Sequence, residues 1–162
     1  MDISKLIIKA KQVINDIIYL TVATSDKNNK PWNSPVYSAF DKNYNFYWAS
    51  WKENQHSKNI TENENVFAVI YDSTASESTG FGVYMKGKAR QLGKKDMIEI
   101  IKSLKLLYSR KNKKPRKPED FLAILPRRIY KFIPEQIWVN YDGDIKGKFV
   151  DTRIDITSEI LK

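Results

Sequence analysis

Tyr19-Leu-Thr-Val-Ala-Thr24, Trp32-Asn-Ser-Pro-Val-Tyr-Ser-Ala-Phe40 and Asn45-Phe-Tyr-Trp-Ala-Ser-Trp51 follow one another with only short turns between them, and their reading decides the fold. Each run is rich in β-branched and aromatic residues. The turn formers Ser25-Asp-Lys-Asn-Asn-Lys-Pro31 close the first, and Asp41-Lys-Asn-Tyr44 closes the second. Connections this short join antiparallel neighbours, because a parallel crossover needs about a dozen residues or more.

Working outward, Val66 to Asp72 reads as a fourth strand and Ser73 to Gly80 as a loop. Phe81 to Leu92 reads as a long fifth strand, with Gly82 and Gly87 as bulges or points of close approach. Arg128 to Ile133 and Ile137 to Tyr141 are closing strand segments around Pro134. Apolar residues recur at helical spacing from Ile3 to Ile17, where Asp2 can cap, and from Asp96 to Tyr108. A turn or more of helix fits around Ile60, and Pro118 opens a short one through Leu125. The pattern predicts a mainly β chain with flanking helices (α+β): a six-stranded antiparallel barrel, not a doubly wound sheet. One domain is expected over residues 1–162, with the barrel core at about 19–141 and a polar, peripheral tail at 142–162.

The chain has 162 residues, 41% of them hydrophobic, and no cysteine, so disulfides, thiolate zinc sites and iron–sulfur clusters are excluded. No stretch approaches the roughly 20 apolar residues of a membrane span, and the N-terminus lacks a basic segment followed by an apolar one; a cytoplasmic protein without membrane contact is expected. The net charge is +9, but Lys86 to Pro118 alone carries 13 Lys or Arg against Asp96 and Glu99. One segment makes the protein basic. Its run Arg110 to Lys117 fits a solvated connection; the competing reading is a nucleic-acid-binding module, which lacks a stacking platform because no aromatic residue lies in 109–118.

Enzyme templates that rely on protein side chains fail. There is one His, no His-Glu-x-x-His, no Gly-x-Ser-x-Gly and no phosphate-loop Lys-Ser/Thr, so neither a metal site nor a catalytic triad is assigned. Reactivity would come from a bound organic cofactor. The stretch Trp48-Ala-Ser-Trp-Lys-Glu-Asn54-Gln-His-Ser-Lys-Asn-Ile60 has a strand ending near Trp51 and a helix starting after Asn54. The free backbone N–H groups of Gln55, His56 and Ser57 make such a terminus a phosphate site, and the side chains of His56, Ser57 and Lys52 or Lys58 add donors. The competing reading is a capped surface helix with an exposed His56.

The order of Tyr19 to Thr24, Asn29-Lys-Pro-Trp-Asn-Ser-Pro-Val-Tyr37, Asn45 to Ser50, His56-Ser-Lys-Asn-Ile60 and Asn63-Glu-Asn-Val66 resembles that of the pyridoxamine 5′-phosphate oxidase-like flavoproteins. The resemblance runs to Leu92 and resumes at Arg128-Ile-Tyr-Lys-Phe-Ile-Pro-Glu-Gln-Ile-Trp138. It implies an FMN-binding split β-barrel that forms a homodimer, with the flavin between the subunits and an oxidoreductase chemistry carried by it. Ser34, Val36 and Tyr37 would lie beside the isoalloxazine, with Trp48, Ala49 and Ser50 on the neighbouring strand. The basic phosphate position would fall on His56, preceded by Gln55, and Trp138 would reach the ligand from the last strand. For Trp32, Trp48 and Trp51, packing in a core or a dimer is the competing reading.

Two departures argue against true pyridoxamine phosphate oxidation. Ser34 stands where those oxidases carry Arg, and their arginine-rich signature is missing from Gln136 to Arg153. Other expectations are a small-molecule substrate, anionic if the basic loop borders its entrance, and Tyr37 or Tyr71 as a proton relay. A barrel for haem or a deazaflavin, or a flavin storage or sensor protein, stays open.

Overall fold

The turn chemistry sets the barrel's beginning. Asp26 Oδ1 accepts the backbone N–H groups of Asn28 and Lys30 at 2.8 and 2.9 Å, and Asp41 Oδ1 accepts those of Asn43 and Asn45, both at 3.0 Å. Each aspartate thus folds the chain back on itself, with Asn29 and Tyr44 taking the left-handed conformation that closes the turn. The computed structural model describes residues 2–122, 125–145 and 148–161, with the backbone path alone for 142–145 and 148–151. Its elements are α1 (Ile3–Asp16), β1 (Tyr19–Ser25), β2 (Pro31–Phe40), β3 (Phe46–Trp51), α2 (Gln55–Glu62), β4 (Asn65–Tyr71), β5 (Gly82–Gln91), α3 (Met97–Arg110), β6 (Arg127–Ile145), β7 (Lys148–Asp155) and α4 (Thr157–Ile160). The helix expected from Pro118 is a 3₁₀ turn over Pro118–Phe121; residues 123 and 124 of its expected span lie outside the described residues.

The strands form one antiparallel sheet in the order β3-β2-β1-β4-β5-β6-β7, and β3 also pairs with β6. That extra pairing closes six strands into a barrel, as the strand pattern implies. Alternate residues point inward, so Leu20, Val22, Phe46, Trp48, Val83 and Phe132 are fully buried in one core, which Ala10 and Ile14 of α1 help to seal. A second, smaller core lies outside β3 and β6. There Ile100, Leu104 and Leu107 of α3 meet Tyr47, Phe121 and Ile129.

The two closing segments are one strand. β6 runs through Pro134 because its register against β5 shifts there: Gly87 faces Pro134 but Lys86 faces Gln136, which leaves Glu135 as the extra residue. A Cβ on Gly87 would collide with the Ile133 carbonyl oxygen, so only glycine fits opposite the bulge.

The expectation of a polar, peripheral tail is corrected. Residues 148–155 form β7 on β6, and Ile156 and Ile160 are 1% and 5% exposed in the main core. Two apolar residues four apart are enough to dock a single helical turn. The basic run also begins inside the fold, because the Arg110 guanidinium sits among the carbonyls of Ile14, Asn15, Ile17 and Ser38. It thereby satisfies the C-terminal end of α1, whose last carbonyls lack helical partners.

Candidate functional site

The barrel wall opens between β2 and β3. Their ladder has three rungs, Phe40 with Phe46, Ala39 with Tyr47 and Ser38 with Trp48, and stops there. Beyond it β2 continues to pair with β1 as far as Pro31, while β3 continues with β6 as far as Trp51. The two strands therefore splay, and residues 33–37 and 49–51 face each other without a shared ladder. Ser38 N–H donates to Ile18. Strand alternation then turns the backbone N–H groups of Asn33 and Tyr37, and the carbonyl of Pro35, toward the opening.

Helix α2 lies across this opening, and its polar residues fix it there. Asn59 donates to Thr24 Oγ1 at 3.0 Å and Asn63 to Ser25 Oγ at 2.9 Å, both on β1, while Ile60 enters the main core. His56 then bridges the two splayed strands. Its Nε2 is 2.7 Å from Ser50 Oγ on β3, and its Nδ1 is 3.2 Å from Ser34 Oγ on β2. Trp32 Nε1 donates to Ser34 Oγ and Asn54 Nδ2 donates to Ser50 Oγ, at 3.0 and 2.9 Å. Each serine oxygen already receives one proton, so each can either accept from the imidazole or donate to it. Both neutral tautomers satisfy the network.

This geometry changes the role expected of His56. The ring is 6% exposed, and burial lowers its pKa below the usual 6.5. Both ring nitrogens are engaged with serines, so the side chain brings neither a positive charge nor a free donor to an anion. The competing reading of an exposed surface histidine fails as well. What remains at the start of α2 is backbone: the N–H groups of Gln55, His56 and Ser57 have no intrahelical acceptor, since Lys58 makes the first helical bond to Asn54. Gln55 turns its amide to Asn59 at 2.8 Å, and Ser57 is buried. Lys52 and Lys58 flank this end, each 3.7 Å from a Glu53 oxygen.

The other expected residues divide. Tyr37 and Ala49 lie at the edge of the opening on its outer side, and Val36 turns its side chain into the main core. The Tyr37 hydroxyl is buried without a partner, its ring meets Tyr19 edge-on at 6.1 Å, and burial raises its pKa. Trp48 is a core residue: it is 0% exposed and stacks on Tyr130 at 5.7 Å, so its side chain cannot meet a ligand outside the barrel. Trp138 stands apart from the opening of its own chain. It pairs with Tyr84 and stacks on Phe67 at 6.4 Å, on the outer face of β4, β5 and β6. Tyr71 lines a cleft of 290 Å³ with Tyr19, Pro35 and Asp72.

Sequence reasoning missed a second polar cluster at the closed end of the same hairpin. Tyr47, fully buried, places its hydroxyl 3.1 Å from Asp41 Oδ2 and 3.0 Å from Glu99 Oε1. Lys102 of α3 meets Asp41 at 2.6 Å, Lys131 meets Glu99, and Arg90 spans Asp96 and Glu99. Burial raises the Asp41 pKa, but the bonds from Lys102, Asn45 and Asn43 outweigh it and hold the carboxyl down to about 2. Burial, then Asp41 and Glu99, drive the Tyr47 phenol far up. These residues sit outside the opening and fasten α3 to the barrel. Among the described residues no three or more metal-ligating side chains converge.

The chain belongs to the pyridoxamine 5′-phosphate oxidase family, whose model matches residues 6–138. No curated protein matches it. Among solved structures it is similar to a protein of unknown function from Agrobacterium tumefaciens, with a TM-score of 0.65 and 12% identity over 90% of this chain and 60% of that one. This chain thus spans less than two thirds of that protein's length. A haem-storage protein from Vibrio cholerae matches with a TM-score of 0.65 and 14% identity, over 80% of this chain and 90% of that one. An FAD-binding protein from Mesorhizobium loti matches with a TM-score of 0.61 and 14% identity, over 82% and 91%. At such identities these likenesses establish the split-barrel fold and nothing finer. Among the described residues no helix is long and apolar enough to cross a membrane.

Proposed function

We propose that the protein binds FMN at the opening between β2 and β3 and acts as a flavin-dependent oxidoreductase on a substrate other than pyridoxamine phosphate. The observation that carries this reading is the splayed hairpin itself. It presents backbone N–H and C=O groups to a flat heterocycle, and the free N–H groups of α2 lie at one end to take a phosphate. The residues present fit the group. Asn33 and Tyr37 offer peptide N–H donors for its polar edge, Ala49 leaves room beside the ring, and Lys52 and Lys58 stand near the phosphate end.

FMN supplies two-electron hydride chemistry when bound, so the chain needs no nucleophile of its own. Its own residues position the cofactor. The neutral His56 holds Ser34 and Ser50 at a fixed separation across the opening, and the engaged serines keep β2 and β3 from closing their ladder. Tyr37, with its hydroxyl buried beside the opening, is the side chain best placed to hold a proton there.

A second copy of the chain would complete the site. The outer face of the sheet carries Thr21, Val69, Tyr84 and Trp138 in one row, with Tyr19, Phe67 and Tyr71 exposed by 52%, 39% and 49%. An apolar face of this kind supports a homodimer in which the partner covers the flavin. Five clefts of 190 to 510 Å³ are lined by neither His56 nor Ser50, and that of 510 Å³ lies behind α2 against Arg90 and Gln91.

Haem and nucleic acid are less well supported. His56 is the one histidine of the sequence and both its nitrogens are engaged, which leaves haem without an imidazole. Arg110 is spent on α1, and Arg116 pairs with Asp120 at 3.0 Å, which thins the basic run. The test is the visible spectrum of the purified protein and its titration with FMN. Bands near ~450 nm, or saturable binding that His56→Ala weakens, are the expected result; a colourless protein indifferent to FMN overturns the reading.

A further inference from the structure

The outer face of α3 joins apolar side chains to unpaired cations. Ile100, Leu104 and Leu107 turn into the smaller core, so the opposite side of the helix meets solvent. There Ile98, Ile101, Lys102 and Lys105 follow one another at spacings of three or four residues, and Lys94 and Lys95 precede them on the 3₁₀ turn that leads into the helix. All six are exposed, Ile98 by 86% and Ile101 by 39%. Neither packing nor helix propensity accounts for Ile98, since a β-branched residue is only a middling helix former.

The acidic groups of this region are spent elsewhere. Asp96 accepts both terminal nitrogens of the Arg90 guanidinium, at 2.9 and 3.0 Å, and Glu99 is held by Lys131 and Arg90. Asp41 neutralises Lys102 at 2.6 Å. Among the described residues no carboxylate oxygen lies within 4 Å of the Nζ of Lys94, Lys95 or Lys105. The face is therefore positive and apolar at once, with Lys105 two turns, about 10 Å, along the helix from Ile98. It offers no hollow: five clefts of 190 to 510 Å³ are lined by none of its six residues.

We propose that the outer face of α3 docks on an anionic lipid surface, with Ile98 and Ile101 entering the headgroup layer and Lys94, Lys95 and Lys105 meeting lipid phosphates. Charge complementarity selects that occupant. A protein partner is anchored through aromatic or arginine side chains seated in pockets, and these six residues supply neither. Lysine is depleted from protein interfaces, whereas at a bilayer its stem lies along apolar groups while the ammonium stays among the headgroups. Docking of this kind needs no membrane-crossing helix, and it departs from the expectation of no membrane contact. It goes beyond the functional reading above and does not rest on it.

The test is co-sedimentation of the purified full chain with vesicles of phosphatidylcholine alone and of phosphatidylcholine with about one third phosphatidylglycerol, at ~0.1 M salt. Three variants are compared with the parent: Ile98→Ser, the double variant Lys94→Gln/Lys105→Gln, and the control Lys27→Gln/Lys30→Gln. The control removes the same charge beside the start of β2, about 30 Å along that strand from the Asp41–Lys102 pair. The expected result is saturable binding to the anionic vesicles only. The α3 double variant should weaken it about twentyfold, Ile98→Ser about fivefold, and the control less than twofold.

Failure to sediment with the anionic vesicles overturns the proposal, as does equal binding to phosphatidylcholine alone or equal weakening by the control. An unchanged Ile98→Ser overturns it too, because adsorption by charge alone would then suffice. If the parent ignores the vesicles but binds poly-glutamate or duplex DNA with the same dependence on the α3 variants, the face serves another partner and the membrane proposal fails. Thermal denaturation checks the fold of each variant. An FMN titration in parallel keeps the two readings apart, since neither result bears on the other.

Discussion

The β2–β3 hairpin is held at both ends by buried polar groups, and the two ends are built on opposite principles. At its turn, Asp41, Tyr47 and Glu99 are locked by Lys102, Lys131 and Arg90, so full charges meet full charges. At its open end, a neutral imidazole joins two hydroxyls. A charged cluster has essentially one arrangement that compensates every group, and it costs much to disturb. The serine–histidine bridge has two tautomers of similar bonding, so its polarity can be reversed without moving an atom other than hydrogen. The hairpin is rigid where α3 docks and electrically adjustable where a ligand is proposed to lie.

The largest expected effect sharpens this contrast. Asp41→Ala removes the acceptor of Lys102, Tyr47 and the turn N–H groups together, and is expected to destabilise the fold by about 3 kcal/mol, read as a lower denaturation midpoint in urea. His56→Ala leaves two hydroxyls that water can reach at the opening, and the expected cost is about 1.5 kcal/mol. A larger loss for His56→Ala than for Asp41→Ala would reverse the comparison.

The two ends also separate by pH. Asp41 has a folded pKa below its unfolded value of 3.8, so its stabilisation, about 2 kcal/mol, is complete above that value and is lost as pH falls toward 2. His56 is a base with a lowered pKa. The unfolded chain takes up its proton first, so stability declines as pH falls through 6.5 and levels off once the folded histidine is also protonated. Denaturation midpoints measured from pH 8 to 2 are expected to fall in two steps, the upper one absent in His56→Ala. Tyr47→Phe deletes one hydroxyl shared by two carboxylates that keep their cations, with an expected cost of about 1 kcal/mol by the same urea titration. The smallest effect belongs to Lys58→Met, whose exposed pair with Glu53 should be worth less than about 0.5 kcal/mol.

The barrel was largely legible because its strands announce themselves by local chemistry. Tyr19 to Ser25, Pro31 to Phe40 and Phe46 to Trp51 begin and end within a residue of the turn formers that flank them. The tail was not legible. Its turn formers are as many as its apolar residues, and docking through Ile156 and Ile160 depends on a core assembled from distant strands. Ser34, Ser50 and His56 could be picked out as candidates, but their meeting could not, since no local signal marks where a ladder stops. The burial of His56 was not legible for the same reason: spacing gives a side chain's position along a helix, not the dielectric around it. Asp41 and Tyr47 gave a usable sign, a turn aspartate followed six residues later by an outward aromatic with a hydroxyl. Their partners Glu99, Lys102 and Lys131 arrive from elements far along the chain.

The rung that closes the barrel has a kinetic consequence. Phe46 pairs with Phe132 and Trp51 with Arg127, so the β3–β6 seam joins segments roughly eighty residues apart, while the other barrel rungs lie between closer neighbours along the chain. Closing so long a loop carries the greatest entropic penalty among the barrel's strand pairings, so it is expected to come late in folding. Until it forms, β3 and β6 each present a bare strand edge with Tyr47, Trp48 and Ile129 upon it. A nascent or refolding chain is therefore exposed to pairing with its neighbours at that seam, and its yield on dilution from denaturant should fall as its concentration rises.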